Sequence, residues 1–210
     1  FVNLGSIALH ESDLKAAEAW YQQALETRNI RREGLIHLYN GLGLLRLRQA
    51  MAASGDRQAQ LLHQAEEEFR KSELIAPDSP EVANNRFLMR FALAAGKPLD
   101  DPARASLARE ADRFIQSARE ETVNPLLAFV TFNELGIQAF RTNRLPDAVA
   151  QFDKAAKALP TSHIPAINRT VALLAAAQRS PAPQAVDTAR NAVEEALRSP
   201  RTPAQHKPSL

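Results

Sequence analysis

Five histidines, two runs of glutamate and a loose set of arginines are the residues of this 210-residue chain with chemistry beyond packing. Acid–base or metal chemistry would need them at particular spacings. His10, His37, His63, His163 and His206 include no i, i+4 pair and no H-E-x-x-H, the arrangement by which two imidazoles on one helix face hold zinc. Glu66-Glu67-Glu68 and Glu120-Glu121 are neighbours only in sequence. Consecutive helix positions point in different directions, so these runs read as solvated faces. Arg28, Arg31 and Arg32, with Arg46 and Arg48 further on, could meet an anion, but cations near a helix C-terminus are ordinary partners of its dipole. There is no cysteine, which removes thiol nucleophiles, cysteine zinc sites and disulfides. No glycine-rich phosphate loop and no G-x-S-x-G turn is present. These residues point to a non-catalytic chain with no metal and no cofactor, in which binding does the work.

The elements that would carry binding are helices. Alanine, leucine, arginine, glutamate and glutamine are abundant while glycine numbers 7, and no alternating β-branched run supports a strand. The clearest unit joins Leu135-Gly136 to Ala148, Phe152, Ala155 and Pro160, a skeleton L-G-x(11)-A-x(3)-F-x(2)-A-x(4)-P. Phe132, Leu135, Gly136 and Ala139 stripe a first helix, residues 142–147 break it, and Ala148, Phe152 and Ala155 line a second. The small residues allow close approach, Phe152 fills the remaining gap, and Pro160 ends the second helix.

The same spacing returns four times. Leu4-Gly5 leads to Ala17, Tyr21 and Ala24 without insertion. Leu42-Gly43 leads to Ala65, Phe69, Ser72 and Pro77 across a gap ten residues longer. A third copy has Phe87 in place of glycine, then Ala111, Ile115 and Ala118, and a fifth runs from Asn168-Arg169-Thr170 to Ala189, Val193 and Ala196. In the second copy Ser54-Gly55-Asp56 is the breaker and Asp56 the expected N-cap, so both helices gain about a turn. In the third, residues 96–102 form a loop with Asp101 capping and Pro102 at the first helical position. Ser79-Pro80-Glu81 and Ser180-Pro181 read as further helix starts. A two-helix unit repeated at roughly 34 residues implies a solenoid rather than a single central core.

On these residues the chain resembles the tetratricopeptide repeat family, whose units show W-x(2)-L-G-x(2)-Y, then A-x(3)-F-x(2)-A and a closing proline. The leading tryptophan is absent from every unit; Phe132 stands there in the fourth, and Trp20 lies one place before the large aromatic position. The resemblance implies an all-α, right-handed superhelical solenoid of about five antiparallel helix pairs over 1–197, with units at about 1–30, 31–78, 79–123, 124–160 and 161–197 and elongated segments in the second and third.

In that family the first helix of each unit lines a concave groove. The corresponding positions here are Asn40, Asn84 and Asn133, then Leu44, Leu88 and Ile137, then Phe91 and Phe140, with Arg48 and Arg141 beside them; in the weak fifth unit they are Ile167, Val171 and Leu174. An amide both donates and accepts, so a row of asparagines could hold a peptide backbone while the apolar residues pocket its side chains. The alternative is that the asparagines hydrogen-bond to neighbouring helices and set the twist of the stack. One subclass clamps a C-terminal carboxylate with polar groove residues; Leu44 and Ile137 stand at those positions, which argues against a chaperone-tail binder.

The expected function is a non-catalytic scaffold or adaptor module that binds a peptide or helix in its groove. The other readings are a structural, self-assembling spacer of a longer repeat protein, joined through exposed solenoid ends, or a ligand-sensing arm of a multidomain signalling protein. Without Arg198, Arg201 and Lys207 the chain carries 23 basic and 24 acidic residues, so a pI of 9.2 is no nucleic-acid footprint. No apolar run approaches the roughly 18 residues of a membrane span. Residues 198–210 are polar and proline-rich and are expected to be disordered. Phe1 opens inside a helical pattern, so the chain reads as a fragment from which any native targeting signal would be missing.

Overall fold

The computed structural model of the chain describes residues 1–27, 29–180 and 182–198. Arg28, Pro181 and nearly all of the expected tail (199–210) lie outside the described residues. The described residues are helical, with ten α-helices and no strand. The chain divides into two compact units, Phe1–Gly96 and Lys97–Leu210. This boundary falls in the loop of the third expected repeat, so its two helices belong to different units.

The first unit contains α1 (Val2–His10), α2 (Leu14–Glu26), α3 (Arg32–Met51), α4 (Gly55–Ile75) and α5 (Pro80–Ala94). Within it α1 packs on α2 and α3 on α4, and α1, α3 and α5 touch in succession. The second unit contains α6 (Pro102–Ser117), a 3-10 turn (Glu120–Thr122), α7 (Pro125–Arg141), α8 (Leu145–Ala158), α9 (Ile164–Arg179) and α10 (Pro183–Arg198). Here α6 packs on α7, α7 on α8, α8 on α9 and α9 on α10, and α7 also meets α9.

The turns follow from local sequence. Residues 11–13 and 142–144 each reverse the chain in three residues, and each puts its central residue in the left-handed region, Ser12 at φ 64° and Asn143 at φ 63°. That geometry lets the backbone amide of Asp13 donate to the Ala8 carbonyl (2.9 Å) and that of Arg144 to the Ala139 carbonyl (2.8 Å), closing the preceding helix. A three-residue turn between packed helices makes a helical hairpin. Asp101 caps α6, its Oδ1 accepting from the Ala103 amide at 2.7 Å with Pro102 at the first position. Asp56, however, is not the N-cap of α4. The cap is Ser54, whose carbonyl accepts the first bond of α4 from the Gln58 amide at 3.4 Å; Gly55 follows at φ 58°, and Asp56 falls in the first turn, where its charge suits the dipole. The second hairpin has helices of 20 and 21 residues, against 17 and 14 for α7 and α8.

Packing is organised by one recurring contact. The glycine of each L-G pair lies directly under the aromatic ring of the second helix. A Cβ added at Gly5 would stand 2.5 Å from the Tyr21 ring, at Gly43 2.6 Å from Phe69, and at Gly136 2.5 Å from Phe152. No methyl group fits there unless the ring moves. The rings have nowhere to go, since Tyr21 and Phe69 are fully buried and Phe152 nearly so. Tyr21 also reaches Gly41 of α3, so one side chain fixes α1, α2 and α3 together. Its hydroxyl lies 3.3 Å from Ser6 Oγ, and burial pushes its pKa above the ordinary tyrosine value.

The first alanine of each repeat sits at closest approach: Ala17, Ala65, Ala111 and Ala148 are 0% exposed and Ala189 2%. The fifth repeat replaces the glycine–ring pair with a complementary one. Thr170 stands where glycine would be and Val193 where the ring would be, and the Thr170 hydroxyl, which donates to the Ala166 carbonyl of its own helix at 2.9 Å, also lies 3.4 Å from the Ala192 carbonyl of α10. A smaller side chain on α10 leaves room for a larger one on α9.

Gly136→Ala is expected to lose about 1–3 kcal/mol in chemical denaturation, because overpacking outweighs the roughly 1 kcal/mol that alanine gains over glycine in a helix. Gly96→Ala, where an added Cβ meets nothing within 4 Å, serves as the control and should stay within about 0.5 kcal/mol of wild type.

Candidate functional site

The groove positions expected from sequence fall on α3 and α5 in the first unit and on α7 in the second. On α3, Asn40, Leu44 and Arg48 are four residues apart and share one face. Asn40 is 2% exposed. Its Nδ2 donates to Glu81 Oε1 of α5 at 2.7 Å, and its Oδ1 accepts from Asn85 Nδ2 at 3.0 Å. Leu44 is half-buried between the core of the first hairpin and that of the second. The exposed Arg48 guanidinium donates to the Leu9 carbonyl near the end of α1. This row therefore ties α3 to the helices on either side of it.

On α5, Asn84 is 4% exposed and its Nδ2 donates to the Pro80 carbonyl of its own helix at 2.7 Å. Leu88 is half-buried and Phe91 buried. On α7, Asn133 is half-buried and its Oδ1 accepts from Asn168 Nδ2 of α9 at 2.9 Å. Ile137 and Phe140 are half-buried against the core of Ala139, Ala148, Phe152 and Ala172. Arg141 is exposed and faces Asp100 Oδ2 at 3.6 Å.

Two of the three asparagines make the same bond in different units. In each case an asparagine two places before the L-G position accepts from an asparagine one place further along in the next first helix. Asn40 takes the Asn85 amide, and Asn133 takes the Asn168 amide. Such a clasp links first helix to first helix, and at Asn40 it leaves almost no surface for a ligand. The sequence signal for Asn85 and Asn168 is an asparagine one place after the expected position in the following repeat.

A second unforeseen tie joins α6 to α7. Glu134 is 5% exposed and takes both Arg104 Nε (3.1 Å) and Nη2 (2.7 Å), with Gln138 Nε2 adding a bond at 3.1 Å. A buried, two-point carboxylate–guanidinium contact of this kind sets orientation as well as distance. Its partners stand 30 residues apart, beyond any local spacing rule.

The arginine cluster is also structural where it is described. Arg32 Nη2 donates to the Ile75 carbonyl at the end of α4 at 2.5 Å. Arg46 Nη1 meets Glu18 Oε1 at 2.6 Å, and that hydrogen bond holds the Glu18 pKa below the ordinary glutamate value. His63 pairs loosely along its own helix with Glu66 and Glu67. Among the described residues no group of three His, Cys, Asp or Glu could hold a metal ion, and no helix is long and apolar enough to cross a membrane.

Val171 and Leu174 on α9 are 47% and 41% exposed, and they occupy the register positions that Ile137 and Phe140 hold on the contacting α7. Compared with known proteins, the chain matches no family model and no curated sequence.

Asn40→Ala is expected to cost about 1–3 kcal/mol in thermal or chemical unfolding, since it strips partners from the buried Asn85 amide and from Glu81. In a double-mutant cycle with Asn85→Ala the two losses should be strongly non-additive; additive losses would mean the clasp contributes nothing.

Proposed function

We propose that each unit is a right-handed stack of tetratricopeptide-like hairpins and that the chain is a non-catalytic module binding a peptide or helix on its first-helix face. Three recurring features support the repeat reading: the glycine under the ring, the buried alanine and the asparagine clasp. The observation that carries the binding reading is the exposed pair Val171 and Leu174, in register with Ile137 and Phe140. Apolar side chains three apart on neighbouring helices offer the spacing into which the anchors of an extended or helical segment insert.

The roles within this reading follow from the contacts. Asn40 and Asn133 set the spacing of neighbouring helices, Asn84 bonds the Pro80 carbonyl of its own helix, and peptide contact falls to the apolar residues beside them. In the first unit those are Leu44, Leu88 and Phe91, which are half-buried to buried and give a shallow surface. In the second they are Ile137, Phe140, Val171 and Leu174, which give a more accessible one. Arg48 and Arg141 stand at the edges as cations.

A second reading, a spacer that self-associates, is favoured by one separate observation. Phe1, Leu4 and Ile7 are 57%, 43% and 55% exposed on or beside α1, an apolar edge of the kind that another repeat covers.

A peptide-library selection against the full chain separates these readings. Peptide binding should be enriched and should weaken about tenfold or more for the doubly substituted Val171→Asp/Leu174→Asp protein. Affinity unchanged by that substitution sinks the binding reading. A concentration-dependent dimer that Leu4→Ser/Ile7→Ser returns to monomer would favour the spacer, whereas a monomer at every concentration would count against it.

A further inference from the structure

The second unit holds a cavity that takes no part in the first-helix face. It lies between the end of α6, the 3-10 turn, the first half of α7 and the last turns of α8, with a volume of about 540 Å³. Ile115, Val123, Ala128 and Phe132 supply apolar walls. The cavity exists because the chain does not pass straight from α6 to α7. Residues 118–124 detour through the 3-10 turn before Asn124 caps α7, its Oδ1 accepting from the Leu126 amide at 2.9 Å.

Its charged groups are arranged asymmetrically. Lys154 and Lys157, three residues apart and so on one face of α8, line one side, and Glu120 lines the cavity from the connecting turn. Lys154 Nζ stands 5.3 Å from the centre of the Phe132 ring, a cation–π contact at the apolar wall. Neither lysine has a carboxylate within ion-pairing distance among the described residues, Glu120 included. Two unpaired ammonium groups and one carboxylate line the same open apolar groove, for a net charge of +1.

We propose that this cavity binds a small amphipathic monocarboxylate. Its apolar body, about ten carbons, packs against Ile115, Val123 and Phe132, a fit within the usual range for cavities of this volume. Its carboxylate bridges Lys154 and Lys157 through charge-assisted hydrogen bonds. Glu120 selects for a single negative charge, since a dianion would meet its repulsion. This site is independent of the peptide reading: it uses the α6, α7 and α8 surfaces around the connecting turn, and its failure would leave the first-helix face untouched.

Titration of the full chain with decanoate, decanol and decylammonium tests it, read by amide chemical shifts and calorimetry. Decanoate should bind saturably, with shifts gathered at Val123, Ala128 and Phe132. Decanol should bind at least about tenfold more weakly, and decylammonium not at all at the same concentrations. Both lysines are exposed, so Lys154→Gln/Lys157→Gln leaves the packing intact and should lower decanoate affinity about tenfold while leaving decanol unchanged. Equal binding of decanoate and decanol, full affinity in the double variant, or no saturable shift at millimolar decanoate would each overturn the proposal.

Discussion

Three of the hairpins depend on a glycine that leaves room where a ring must lie. Gly5, Gly43 and Gly136 each sit under Tyr21, Phe69 and Phe152, close enough that even a methyl group would collide. That contact sets how near the two helices of a hairpin come and which residues face each other. It also explains the fully buried alanines one turn earlier on the second helices, because at that separation only small side chains fit. The energetic consequence is asymmetric. Burying a ring gains about 1.5–3 kcal/mol, and the glycine that permits it gives back up to about 1 kcal/mol of helix propensity.

Once hairpins are set, polar side chains join one to the next. The Asn40–Asn85 and Asn133–Asn168 bonds, the Arg104–Glu134 contact and the Arg48–Leu9 bond all link helices far apart in sequence. A buried amide bonded to a buried amide contributes modest net stability but is costly to break. Its main effect is to specify alignment between first helices. Residues that these links do not use are apolar and exposed at Val171 and Leu174, and cationic at Lys154 and Lys157 beside the connecting turn.

How legible was this in the sequence? The helices and most caps were, because short-range rules govern them: Asp101 with Pro102, Ser79 with Pro80, and the glycine–aromatic spacing itself. Capping preference alone points to Asp56, but the α4 hydrogen bonds begin two residues earlier, at the Ser54 carbonyl, through a glycine free to take φ 58°. The fifth repeat looked degraded because residue identities changed, yet Thr170 with Val193 keeps the combined volume that a glycine and a ring have elsewhere. The asparagine row was visible as a row, but what the amides bond to depends on partners 35 and 45 residues away. The cavity was hidden for the same reason, since Phe132, Lys154 and Glu120 come together only through the detour after α6.

The register of glycines under rings is the central claim, and proton NMR reads it directly. A proton above an aromatic face is shifted upfield by the ring current. The Hα resonances of Gly5, Gly43 and Gly136 should therefore lie well upfield of those of Gly55 and Gly96, and the displacement at Gly136 should vanish in Phe152→Leu. Glycine resonances at ordinary positions for all five, or a Gly136 shift indifferent to the loss of the Phe152 ring, would contradict the account.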